Sequence, residues 1–306
     1  MQGDPVMMKR RLQTTNYYRL SGYWYFFRVF QGPQRHLGEQ FRAGLNFDQV
    51  WELYVFDGKL KLLVLRALEK IEVAVRTQVC YYHAEKYGPY AYAVDRQSLT
   101  LGTTRLRNGT IIDRHSDFLA EVDKCLERSQ EQFIDHFRDN YSNSYPPLWI
   151  AAEALTLGCI KRIYDGSPLD IKRKVAEYFD IPHVVLDSWL LTLNTARNVC
   201  AHHGRFWNRV LGTAPKMPPE KTYPYFHKPV AIYEPPSITR GGISPKRPPT
   251  AFAILSICNH LLLRVDPHGG WAKDVKALLD AFPRVSRPAM GFPQHWTLSP
   301  VWADVE

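Results

Sequence analysis

Apolar residues recur at helical spacing through most of the chain. Val50, Leu53, Phe56, Leu60, Leu63, Ala67, Ile71, Ala74 and Val75 follow one 3.6-residue period, and Asn46 with Gln49 three residues later has the form of a capping box. The pattern predicts a helix over about 47–84, with Gly58 the place where it could bend and Gly88-Pro89 near its end. Further helices are predicted at about 117–138, at about 148–164 between Pro146-Pro147 and Gly166, and over Ile171–Tyr178. Pro182 introduces another long helix, with the apolar stripe Val185, Trp189, Leu190, Leu193, Ala196 and Cys200. Helices at about 250–265 and 272–282 precede an extended aromatic tail, Met290–Trp302. Thr103–Arg107 and Thr110–Asp113 flank Asn108-Gly109, a hairpin signal in which both turn residues must tolerate positive φ. From Gly212 to Pro249 the periodicity stops, and ten of the 22 prolines fall there. The expected architecture is all-α with one small β-hairpin arm: a helical core over 1–211 that includes an aromatic N-terminal segment, a Pro-rich excursion over 212–249, and C-terminal helices over 250–306 packing on the core.

Composition narrows the functional class. With 306 residues and 45% hydrophobic content the chain can build a sizeable core, and no apolar run approaches the roughly 18 residues of a membrane span. The opening residues carry neither a signal peptide nor a transit helix, and the five cysteines are an odd, scattered set suited to reduced thiols, so a cytoplasmic protein is expected. A formal charge of +9 predicts a polyanionic partner, nucleic acid before membrane.

Candidate chemistry concentrates between Asn194 and Arg209. Asn194, Asn198 and His202 stand four residues apart and form a polar stripe opposite the apolar face, with Arg197 on its flank. Such a set suits RNA cleavage without a metal or cofactor. Histidine takes a proton from a 2′-hydroxyl or returns one to the leaving 5′-oxygen, arginine neutralises charge on the phosphorane, and Asn198 holds the imidazole tautomer or a phosphate oxygen. The spacing alone is weak, since 24 arginines and 11 histidines give about one such pair by chance.

Other residues carry open readings. His203, three residues after Cys200, is expected to be a buried, hydrogen-bonded histidine rather than a second proton carrier, and Arg205 and Asn208 either contact RNA or cap the bend after Gly204. Glu72 and Arg76 form an ordinary helical pair or, if buried, orient Arg197, and Glu153 is a third candidate of this supporting kind. Arg105, Arg107 and Arg114 of the hairpin arm, with Lys161 and Arg162, are the candidate RNA contacts. The seven aromatics between Tyr17 and Phe27 read as core packing before base stacking. Cys80-x-x-His83 and Cys200-x-x-His203 together would allow a structural zinc in a DNA-binding regulator, but no metal site is expected.

The run Arg197–Asn208, RNVCAHHGRFWN, resembles the signature of the Abi-like (AbiD/AbiF) abortive-infection proteins of the HEPN ribonuclease superfamily. Asn16–Arg28, Leu68–Arg76, Pro147–Glu153 with Leu157-Gly158, and Met290–Trp296 are similar to that family's other blocks, in the same order. Only 15 residues precede Asn16, where relatives carry about one more helix, which points to a truncated or misassigned N-terminus. The resemblance implies a HEPN-type helical bundle and a metal-independent, toxin-like bacterial anti-phage endoribonuclease producing 2′,3′-cyclic phosphate ends. It also implies a composite site formed by two Arg-x4-His helices across a homodimer, with Arg197, Asn198 and His202 in the matching positions, and control by a small non-coding RNA. The alternative is a non-cleaving RNA-binding subunit of a ribonucleoprotein.

Overall fold

A computed structural model describes residues 1–31, 36–212, 214–223, 238–239, 242–243 and 251–305. Its axis is the helix foreseen from the capping box, which runs uninterrupted through Gly58 and three residues beyond the predicted end. It spans Phe47–Tyr87, 41 residues or about 60 Å. Asn46 Oδ1 accepts from Asp48 N at 3.0 Å while Asn46 N donates to Gln49 Oε1 at 3.0 Å, satisfying two otherwise orphaned amides.

In chain order the described helices are α1 (Pro5–Thr15), α2 (Tyr17–Trp24), the long α3 (Phe47–Tyr87), α4 (Ala91–Val94), α5 (Arg114–Arg128), α6 (Gln132–Asn140), α7 (Leu148–Ala154), α8 (Leu157–Gly166), α9 (Leu169–Tyr178), α10 (His183–Ala201), α11 (Ala251–Val265) and α12 (Trp271–Ala281). Helices α2 and α7–α12 all pack on α3. Buried residues on both sides of the chain's gap in description join one cluster, so α11 and α12 share the core of the preceding helices. The protein is all-α with small β-hairpins. No described helix is long and apolar enough to cross a membrane.

Two predicted helices are each broken once. The segment read as 117–138 divides into α5 and α6 where Ser129 turns extended (ψ 133°) and its Oγ accepts from Glu131 N at 3.4 Å. The segment read as 148–164 divides at Leu155 (ψ 145°), and Thr156 Oγ1 then accepts from Cys159 N at 3.3 Å to start α8. In each case a hydroxyl offers the backbone an alternative to the helical ladder, an effect that apolar periodicity does not register.

The predicted hairpin forms as β3 (Thr103–Arg105) and β4 (Ile111–Asp113), but with a different turn. Of Asn108 and Gly109 only Gly109 is left-handed (φ 86°). Gly109 N donates to Leu106 O at 3.0 Å and Leu106 N to Thr110 O at 2.8 Å, the three-residue loop with a glycine bulge rather than the two-residue turn. An unforeseen hairpin, β1 (Arg28–Gln31) with β2 (His36–Phe41), precedes α3. A two-residue pair, β5 (Ile238–Thr239) with β6 (Gly242–Ile243), is nearly all that is described of the Pro-rich excursion beyond Tyr223, whose remainder lies outside the described residues.

The aromatic tail is wound rather than extended. It forms 3-10 turns at Pro288–Met290, Trp296–Leu298 and Pro300–Val305, and Met290, Phe292, Trp296 and Trp302 are buried. Trp302 stacks on Trp271 at 6.2 Å, and its Nε1 donates to Ser256 Oγ at 3.1 Å. The N-terminal aromatics divide: Tyr23 and Trp24 are core, as expected, while Tyr17, Tyr18 and Tyr25 are exposed.

Asp113 joins the hairpin to α5. Its carboxylate accepts from Ser116 Oγ at 2.6 Å and from the amides of His115 and Ser116, and pairs with Arg96 at 2.7 Å. The Ser116 hydroxyl, then Arg96 and the amides, hold its pKa down to about 2. A carboxyl depressed on folding stabilises fully above its unfolded value of about 4, and that contribution is lost as pH falls through the folded value. Hydrogen exchange at the α5 N-terminus is therefore expected to accelerate between pH 4 and pH 2 relative to the α3 interior. An Asp113→Asn variant showing the same acceleration would contradict this.

Candidate functional site

Helix α10 delivers the polar stripe. Its apolar face (Val185, Trp189, Leu190, Leu193, Ala196, Cys200) is buried throughout, which fixes the opposite face outward at the C-terminal end. Asn198 and His202 are exposed, and Arg197 and Asn194 are half-buried. None of the four side chains makes a hydrogen bond or ion pair among the described residues. That isolation contrasts with the 18 ion pairs found elsewhere among them. Asn194 faces the start of α8, where a Cβ on Gly158 would lie 3.8 Å from its Nδ2.

The helix ends in a Schellman-type cap. Gly204 N donates to Val199 O at 2.8 Å and His203 N to Cys200 O at 3.1 Å, with His203 left-handed at φ 57°. The expectation of a buried His203 fails here: the chain leaves the helix at His202 (ψ 18°), so His203 does not continue the apolar face and is exposed. Its carbonyl accepts from Arg19 Nη1 at 2.8 Å, tying α2 to the cap.

What holds the cap is a residue the sequence reading missed. Asp57, 0% exposed in the first half of α3, accepts from Tyr23 Oη at 2.6 Å, Trp207 N at 2.7 Å and Phe206 N at 3.1 Å, with Lys61 Nζ at 3.5 Å. One buried carboxylate thus joins α2, α3 and the segment leaving α10. Burial and then Asp57 push the Tyr23 phenol well above its ordinary range, so it remains a donor. Arg205 reaches into the fold rather than capping its own bend. Its Nη1 donates to Gly22 O in α2, and burial lowers its basicity. The Asn208 side-chain oxygen is buried without a hydrogen-bond partner among the described residues.

The other candidates fall into separate groups. Arg76 pairs with Glu72 at 3.3 Å and Glu153 at 3.2 Å, and its Nη2 also donates to Leu155 O at 3.3 Å, a carbonyl freed by the break between α7 and α8. The triad is real, but it clamps α7 to α3 and makes no bond to Arg197. Lys161 is spent on Asp165 (2.7 Å) and on Asp187 (3.1 Å), ten residues before Arg197 on α10, about 15 Å along its axis. Arg162 bonds Asp117 and Arg114 O, each at 2.8 Å. These two residues are structural rather than free RNA contacts. Arg105 and Arg107 are exposed on the hairpin with no ion pair among the described residues, and Arg114 is half-buried.

The imagined zinc site does not assemble. Cys200 lies near Asp57 and Lys61, and Cys80 near Arg76 and Glu153, roughly 30 Å further along α3. Burial pushes each thiol up to about 12. No group of three potential metal ligands occurs among the described residues.

The helical bundle thus anchors the segment after α10 by a buried carboxylate and leaves an Arg-Asn-His set at the end of that helix without side-chain bonds among the described residues. The family model described as Abi-like protein matches residues 10–208, from within α1 through Asn208. The chain belongs to the Abi-like family. No curated protein and no solved structure matches it significantly.

Asp57→Ala is expected to destabilise the protein by about 3–5 kcal/mol in denaturant titration, because Lys61 and three donors lose their buried acceptor. Tyr23→Phe, which deletes one donor to the carboxylate, is expected to cost about 1.5–3 kcal/mol. A change below about 1 kcal/mol for Asp57→Ala would show that the carboxylate does not anchor the cap.

Proposed function

We propose that this protein is a metal-independent endoribonuclease of the HEPN type, acting as a toxin-like agent of abortive infection in a bacterial cytoplasm. The family ties the chain to abortive infection, and the observation that carries the chemistry is the Arg197-Asn198-His202 set at the C-terminal end of α10, whose side chains make no bond among the described residues. In the proposed reaction an imidazole takes the proton of the 2′-hydroxyl, and the 2′-oxygen attacks phosphorus. The bond to the 5′-oxygen breaks, and that oxygen receives a proton. The products are a 2′,3′-cyclic phosphate and a 5′-hydroxyl, with no water consumed. Arg197 neutralises the charge that builds on the phosphorane, and Asn198 holds the His202 tautomer or a phosphate oxygen. Arg105 and Arg107 supply sequence-independent contacts to the RNA backbone.

The site is completed by a second copy of the chain. On the outer face of α10, Val184 (47% exposed) and Leu191 (41% exposed) lie at seven-residue spacing with Asn198, so an apolar strip runs into the polar set. Pairing two such faces about a two-fold axis brings two Arg-His sets together. A small structured RNA held on the same basic surface would keep the enzyme silent. The ribonucleoprotein alternative, RNA binding without cleavage, separates from this reading on the same variants.

Arg197→Ala and His202→Ala are each expected to lower cleavage of a single-stranded oligoribonucleotide by about 10²–10⁴-fold, in buffer containing EDTA, with binding affinity nearly unchanged. Leu191→Arg is expected to give a folded monomer in light scattering with a comparable loss. Binding without cleavage by the wild type would favour the ribonucleoprotein reading. Cleavage that EDTA abolishes would overturn the metal-independent one.

A further inference from the structure

His203 occupies a position that backbone chemistry reserves for glycine. Its φ of 57° places it at the left-handed residue of the α10 cap, where a Cβ is crowded and glycine or asparagine is the ordinary choice. A glycine is present, but one residue later, and it serves a different need. Gly204 does not have positive φ; a Cβ there would come within 3.1 Å of both Val199 O and Val199 Cγ1. Thus the cap uses its glycine where the backbone approaches closely and places an imidazole where a side chain is strained. The strain has no local return, because the His203 side chain is exposed and makes no hydrogen bond or ion pair among the described residues. The contacts that this residue contributes to the fold, its N–H to Cys200 O and Arg19 Nη1 to its carbonyl, are made by the backbone and would survive removal of the side chain.

Strain kept without a structural return marks a side chain that works outside the fold. Resting on the ribonuclease reading, we infer that His203 is a catalytic residue, the second proton carrier beside His202, so that each protomer contributes both imidazoles of the transfer. In-line displacement at phosphorus requires proton removal from the entering 2′-oxygen and proton delivery to the departing 5′-oxygen on opposite sides, which one imidazole does not serve together. His202 and His203 are consecutive and exposed, their side chains make no hydrogen bond or ion pair among the described residues, and they lie at the same helix end as Arg197. One takes the 2′-proton as the new P–O bond forms, and the other gives its proton to the 5′-oxygen as the old bond breaks. The protonation states are then exchanged, and solvent resets them.

The test opposes stability to activity in the full-length protein. His203→Gly removes the backbone strain, so its melting temperature is expected to rise by about 1–3 °C. Its single-turnover cleavage of a single-stranded oligoribonucleotide is expected to fall by about 10²–10⁴-fold, with one limb missing from the pH–rate profile between pH 5 and 9. His203→Asn, which also tolerates the left-handed region, is expected to lose the same limb. Wild-type cleavage with an unchanged rate, or with both limbs retained in the variants, would overturn the inference and leave the second proton to the partner copy's His202. Absence of cleavage by the wild type would instead sink the ribonuclease reading on which the inference rests.

Discussion

The buried carboxylate of Asp57 is the interaction on which the site depends. It lies one-quarter of the way along α3, and through Tyr23, Phe206 and Trp207 it gathers donors from α2 and from the segment after α10. An ionised carboxylate removed from water is tolerated only when such donors converge on it, and the backbone amides that converge here belong to residues directly beyond the Arg-x4-His run. The direction in which the chain leaves α10, and with it the placement of His202 and His203, follows from satisfying that charge. Arg205 and Arg19 strengthen the arrangement by bonding Gly22 O and His203 O, so that α2 and the cap hold each other.

Around this fixed point the charges have two distinct uses. Arg76, Lys161 and Arg162 each pair with carboxylates contributed by other helices, and they position α7, α8 and α5. Arg197, Arg105 and Arg107 pair with none among the described residues. A net charge of +9 indicates an anionic partner only in general terms. The split between paired and unpaired cations separates those that hold helices together from those whose charge is not committed within the described fold. Among the described residues the Arg-Asn-His set is held by backbone and packing rather than by its own side-chain bonds, which leaves its hydrogen-bonding capacity uncommitted.

Much of the fold was legible in the sequence because long amphipathic helices leave a periodic trace: α3, α9, α10, α11 and α12 appear close to their predicted ranges. What periodicity does not show is a turn made by one hydroxyl, and the breaks at Ser129 and Thr156 are of that kind. Asp57 was invisible for a related reason. A lone acid in an apolar helix reads as a solvated residue, and its amide partners stand 149 and 150 positions away. Of the candidate site, the Asn194-Asn198-His202 stripe with Arg197 on its flank was readable from helical spacing. The exposure of His203 was not, since it requires knowing that the helix stops at His202. Lys161 and Arg162 look like any basic pair on a helix until Asp187 and Asp117 arrive from elsewhere in the chain.

RNA cleavage at the free end of α10, proposed to transfer phosphorus to the 2′-oxygen, would leave chemically distinct termini. The most direct test is to induce wild-type and His202→Ala protein in cells and map the termini of cellular RNA chemically. The account predicts new paired 2′,3′-cyclic phosphate and 5′-hydroxyl ends with the wild type alone. New ends carrying 3′-hydroxyl and 5′-phosphate groups, or equal ends with His202→Ala, would contradict it.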